Sequence, residues 1–228
     1  MATCIKEPCL GNPKNLHWKY IRVRCMKKQH KKSYHHGDLK PALIKAGLEI
    51  LEEDGLEALT MRAIAARVGV SHTAPKNHFD GLHGLLAAIA AEGFRRHAAE
   101  MKTGVENASD GRERLDAASE GYARFARENG ALFRLMFSPR FNEKAGEELV
   151  TAARSSYGVL RGIAEGLEWE KPGPERSSEL EALRTELMLW VFVHGYASLM
   201  NEGQMPRKPD GEPVFDVLEL MPQFTYRE

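Results

Sequence analysis

"TMRAIAARVGVSHTAPKNHF", residues 60 to 79, sets two short helical patterns on either side of a single glycine. Thr60 is a good N-cap, Met61, Ile64, Ala65 and Val68 share one face of the helix it opens, and Gly69 can take the left-handed conformation that ends it. Ser71 offers a new N-cap after only a few residues, so the spacing predicts a further helix running to Phe79. Pro75 would be the fourth residue of that helix, where its missing N–H forfeits only the first intrahelical bond. Such a helix turns Ala74 and Phe79 inward and Ser71, His72, Thr73, Lys76 and Asn77 outward. Two short helices joined by a tight Gly-containing turn form a helix-turn-helix, whose second helix enters the DNA major groove and offers polar side chains to base edges and phosphates.

Outward from this stretch the helical reading continues. After Tyr34 apolar residues recur at three- and four-residue spacing and no segment alternates with period two for long, which predicts an all-α fold. A first helix opens at Asp38, tolerates Pro41 in its first turn, lines up Leu39, Leu43, Ala46, Ile50 and Leu51, and stops at Asp54-Gly55. Beyond Asp80 a long helix, "GLHGLLAAIAAEGFRRHAAEM", is followed by helices near 111–129, 131–137, 143–168 and 177–201. Breaks fall at "EKPGPERSS" and "NEGQMPRKPDGEP", and a short final helix, "VFDVLEL", is expected after the second. The chain therefore divides into a basic arm over 1–33, a three-helix DNA-binding domain over 34–80 and a helical effector-binding and dimerisation domain over 81–228.

Composition narrows the functional classes. With 228 residues, 43% hydrophobic and 28% charged, the chain can bury a substantial core. Its longest apolar run, Leu187 to Val193, is far short of the ~20 residues a spanning helix needs, so a cytoplasmic protein without a membrane partner is expected. Cys4, Cys9 and Cys25 all lie in the head and match no zinc spacing. There is no Gly-rich phosphate loop, nucleophile elbow or His-Glu-x-x-His helix, so neither enzyme chemistry nor a cofactor is expected. His78 and His83, five apart, share no helical face well, and His35-His36 reads as arm or phosphate neighbour, so no metal is expected. The zero formal charge hides a split: residues 1–37 carry nine Lys or Arg against one Glu, leaving the rest net acidic. Such a head is either a disordered arm that sits on nucleic acid or sequence ahead of the true domain start, with Met26 as an alternative initiation site.

Residues 34–94, "YHHGDLKPALIKAGLEILEEDGLEALTMRAIAARVGVSHTAPKNHFDGLHGLLAAIAAEGF", resemble the DNA-binding half of a TetR-family transcriptional regulator. "ALFRLMFSP" at 131–139 and "LWVFVHGYASLM" at 189–200 are similar to a branch of that family with a Trp and a His-Gly pair in a late helix. The resemblance implies a homodimer on a double-stranded DNA operator, most simply a repressor released when a small-molecule effector enters the C-terminal body. It assigns phosphate contacts to Thr60 and Arg62, base edges to Ser71, His72, Thr73 and Asn77, and the DNA backbone to Lys76 and His78, with Phe79 in the core. Lys76 stands where the family usually has a tyrosine, and Leu82 where it usually has a lysine. Residues 38–80 hold five Lys or Arg against seven Asp or Glu, so the arm is expected to add the missing phosphate neutralisation. The same charge balance leaves open a helical small-molecule-binding protein with a vestigial DNA-binding module.

Candidates for the effector pocket are Tyr122, Phe125, Phe133, Met136, Phe137 and Trp190, of which two or three are expected to line a cavity and the rest to be core. Trp190 and His194 sit one turn apart, either as a packed pair or as effector contacts. Arg134, flanked by apolar residues, either pairs with a buried carboxylate or meets an acidic ligand. Gly195, Ala197 and Ser198 admit a close helix, so the helix over 178–200 and the final helix form either the dimer interface, as a four-helix bundle, or ordinary intrachain packing.

Overall fold

The computed structural model describes residues 39–141, 145–169 and 177–226. The basic arm, the three cysteines, His35-His36, the Asp38 cap and the Pro-Gly break at 170–176 lie outside the described residues. The chain is all-α. Helix α1 (Leu39–Asp54) buries Leu43, Ala46, Ile50 and Leu51, the stripe its spacing predicts. Helix α2 (Met61–Val68) is capped as expected: the Thr60 hydroxyl accepts the Ala63 N–H at 3.1 Å, and Gly69 closes it at φ 81°. Arg67 fastens α2 to α1 through a two-pronged bond to the Glu53 carboxylate, at 2.7 and 3.1 Å.

The expected third helix is instead a 3₁₀ turn, Ala74–Asn77. Ser71 caps no backbone N–H there; its hydroxyl bonds that of Thr73 at 3.0 Å. Pro75 explains the difference. Lacking an N–H, it interrupts an i→i−4 ladder in a segment too short to recover, whereas i→i−3 bonds from Ala74 to Ser71, Lys76 to Thr73 and His78 to Pro75 close around it. Pro75 is itself buried, with Phe79, while Ala74 is only half-buried.

Helix α3 (Gly81–Lys102) has α4 (Gly111–Glu128), α5 (Gly130–Met136) and α6 (Glu147–Ala164) packed on it, and α7 (Ser178–Asn201) lies against α4 and α6. Every residue of α3 from Leu85 to Ala91 is buried, and one hydrophobic core continues from Leu43 of α1 to Leu189, Val193 and Phe224, with no seam after Asp80. Helix α6 ends sooner than its periodicity suggested. Gly166, at φ 85°, turns the chain into a strand, β1 (Leu167–Trp169), that pairs antiparallel with β2 (Phe224–Tyr226). The expected final helix is a single turn: Asp216 accepts the Leu218 and Glu219 N–H groups at 2.8 and 2.9 Å, but Pro222 follows too closely for a second turn. Lys40 of α1 and Arg95 of α3 both reach Glu148 at the start of α6, at 2.9 and 3.3 Å.

Where α4 crosses α3, Gly121 lies directly on the Glu100 carbonyl, leaving no room for a Cβ. Gly121→Ala should therefore destabilise the fold by about 1–3 kcal/mol, as overpacking against rigid backbone does. Urea unfolding should show a lower midpoint with an unchanged m-value; an unchanged midpoint would mean that the two helices part freely.

Candidate functional site

Two regions carry chemistry. The first is the outer face of the helix-turn-helix. Thr60 and Arg62 are exposed at the start of α2, and Ser71, His72, Thr73, Lys76, Asn77 and His78 are exposed on and around the 3₁₀ turn. In a 3₁₀ turn residues three apart eclipse, so Thr73 and Lys76 stand one above the other. Much of this region's positive charge is already engaged: Lys40 with Glu148, Lys45 with Glu49 and Arg67 with Glu49 and Glu53. Among the described residues Arg62 and Lys76 have no carboxylate within ion-pair distance. Leu82 is half-buried against the core. His83 is half-buried with its ring 5.6 Å from that of Phe141, whereas His78 is exposed.

The second region is a cavity of about 600 Å³ between α3, α4, α6 and α7. Tyr122, Phe137 and Trp190 of the candidate set lie on its wall. Phe125, Phe133 and Met136 do not; they are buried packing residues behind it, Phe133 with its ring 4.9 Å from Phe137. Arg134 reaches neither a buried carboxylate nor the cavity. Helix α5 turns Leu132, Phe133, Leu135 and Met136 inward, and the remaining direction, taken by Arg134, faces solvent. His194 is set back from the wall, where its Nδ1 shares a 2.9 Å hydrogen bond with the Tyr122 hydroxyl.

Sequence reasoning missed the α3 and α6 sides of the wall: Phe94, His97 and Met101 from one, Ser156, Tyr157 and Arg161 among those from the other. A signal existed, since His97 falls three residues after Phe94 and four before Met101, on the apolar stripe of α3. His97 is 2% exposed, and its Nδ1 lies 2.8 Å from the Ser156 hydroxyl. Its ring packs edge-on against Tyr122 and Phe125, at 4.3 and 5.1 Å between centroids, and its Nε2 is buried with no hydrogen-bond partner among the described residues.

Residues 43–89 match the family described as bacterial regulatory proteins, tetR family, and residues 115–219 match the tetracyclin repressor-like C-terminal domain. Over 93 residues, 40% of this chain, the sequence is 31% identical to the HTH-type transcriptional regulator BetI of Vibrio campbellii (strain ATCC BAA-1116). That stretch is 47% of the relative, so the chain spans about half the length of the curated protein it matches. The solved structure of a protein with unknown function from Rhodococcus sp. RHA1 is 32% identical with a TM-score of 0.64, covering 82% of this chain and 93% of that one. A TetR family transcription regulator from Marinobacter aquaeolei VT8 shares the fold at 18% identity and a TM-score of 0.51, over 75% of this chain and 87% of its own.

Burial, with the nearby His194, pushes the His97 pKa down to about 3, so the ring is neutral near pH 7. Burial likewise lowers His194 and raises Tyr122. An unfolded histidine takes its proton near pH ~6.5, so between there and the folded value the unfolded state binds more protons and stability falls as pH drops. His97→Phe, which keeps a ring in place, should remove this dependence. Denaturant titrations from pH 6 down to pH 4 should show the wild type losing up to ~1.4 kcal/mol per pH unit more than the variant. Parallel curves would mean that folded His97 protonates freely.

Proposed function

Because the chain belongs to the TetR family of bacterial regulatory proteins, we propose that it is a ligand-responsive, DNA-binding transcriptional regulator, acting as a repressor. One observation carries the reading. A single unbroken helix, α3, opens directly after the helix-turn-helix and, farther along, supplies Phe94, His97 and Met101 to the wall of the cavity. A ligand that reshapes the wall acts on the same rod that positions the DNA reader. In this reading Thr60 and Arg62 hold phosphates, Ser71, His72, Thr73 and Asn77 meet base edges, and Lys76 and His78 meet the backbone. Tyr122, Phe137 and Trp190 contact the effector, with His194 orienting Tyr122. Trp190 on the wall and the following His194-Gly195 pair support the branch with a late Trp and His-Gly motif.

The functional unit is a homodimer joined through α7. Leu180, Leu183, Leu187 and Val191, up to 67% exposed, fall along one stripe of this helix, and a Cβ on Gly195 would meet open space. Ala197 is buried within its own chain, so of the small residues Gly195 and Ser198 remain for the partner helix. The two readers then sit on half-sites roughly 34–36 Å apart, one turn of DNA. A second reading, a ligand-binding protein with a weakened reader, is favoured by one fact: among the described residues of the motif only Arg62 and Lys76 remain unpaired cations.

Affinity for DNA upstream of the protein's own gene, against random DNA of equal length across several salt concentrations, separates the two. A repressor prefers the upstream DNA at moderate salt; weak, unselective binding selects the second reading. Thr73→Ala and Asn77→Ala should alter sequence preference, while Lys76→Ala weakens binding to all DNA and flattens the salt slope by about one. Equal effects of all three on specific and random DNA would overturn these roles. Val191→Arg should leave a monomer in sedimentation and lower operator affinity by roughly a hundredfold, because each reader then binds alone; a dimer that persists would move the interface away from α7.

A further inference from the structure

The chemistry of the cavity wall narrows what fits inside it. Most of the wall is aromatic or apolar: Phe94, Met101, Phe137, Leu160 and Trp190. Rings stack edge to face along it, Tyr157 on Trp190 at 5.7 Å and Phe94 on Phe137 at 5.3 Å, a surface suited to a flat ring system. The charged departure from this apolar character stands at the rim. Arg154 and Arg161, both exposed, lie seven residues apart on the cavity side of α6, so their side chains leave the same face of the helix at the cavity's mouth. Among the described residues neither has a carboxylate within ion-pair distance. Glu186 of α7 lies against Tyr157, whose pKa burial, together with that carboxylate, pushes up to about 12. Two guanidiniums and no carboxylate among the lining residues leave the mouth positive. His97 completes the wall on the α3 side, but its Nδ1 is engaged by Ser156 and its Nε2 is sealed from water, so neither ring nitrogen opens into the cavity.

We propose that the cavity takes an aromatic carboxylate: its carboxylate at the mouth on Arg154 and Arg161, and its rings among the aromatic side chains of the wall. This rests on the cavity being the effector site. The two arginines are then the specificity-determining residues, and positively charged ligands are turned away at the mouth.

The test is calorimetric titration of the full-length protein with 2-naphthoate and 2-naphthol. The naphthoate should bind roughly tenfold more tightly than the naphthol, which lacks the carboxylate. In the double variant Arg154→Gln/Arg161→Gln, whose changes are on exposed side chains, this advantage should vanish. Equal binding of 2-naphthol and 2-naphthoate, no effect of removing the arginines, or no binding of any probe would overturn the proposal. Adding the same probes to the protein on its upstream DNA keeps the two readings apart. A probe that binds with the expected selectivity yet leaves the DNA held overturns the repressor reading alone, whereas selective DNA binding without uptake of any probe overturns the ligand class alone.

Discussion

Helix α3 is apolar around its whole circumference from Leu85 to Ala91, and a helix of that kind is stable only if neighbours cover it on every side. Its alanines and glycines let those neighbours come close. Ile89 fills the space where Gly47 of α1 has no side chain, and Met136 of α5 lies against Gly93. Toward its C-terminal end the partner is α4, whose Gly121 rests on the backbone of α3 at Glu100 and Met101. The small helices around the 3₁₀ turn and the large helices of the body are thus two coats on one rod. That is why the core has no seam between them, and why the 3₁₀ turn, which buries little more than Pro75 and Phe79, holds a defined position.

Three of the helices that were legible in the sequence carry explicit chemistry at their ends. Thr60 with Gly69 bounds α2, Ser177 caps α7 through the Leu180 N–H, and Asp110 caps α4 through the Glu113 N–H. The third helix of the motif was misjudged because a good cap and an inward Phe79 satisfy the same pattern whether the turns between are α or 3₁₀, and only the missing N–H of Pro75 decides between them. The final segment misled for a related reason: Asp216 and Glu219 form a valid capping arrangement, but Pro222 leaves no chain in which to extend it.

The cavity was only partly legible because periodicity marks what faces inward, not what faces a void. Tyr122 and Phe125 lie on one face of α4 and are equally buried, yet one touches the cavity and the other packs behind it. Arg134 drew notice for its apolar neighbours in sequence, but in a helix adjacent residues point about 100° apart, so those neighbours say little about its own surroundings. His97 shows the opposite case. A polar side chain on an inward stripe must find a partner inside, and half of it has found one in Ser156.

The Glu148 carboxylate joins three helices at one point, taking Lys40 from α1 and Arg95 from α3 at the end of α6 farther from the β1 turn. The neighbouring cations hold its carboxyl below the usual carboxylate range, so the junction stays charged in neutral solution. All three side chains are well exposed, and a pair of this kind contributes at most about 1 kcal/mol and weakens as salt screens it. Helix α6, which carries Ser156 and Tyr157, is therefore tethered to the first helix of the reader by a clasp whose grip depends on the medium. Ionic strength thus loosens the exposed joint at which α1, α3 and α6 share one carboxylate.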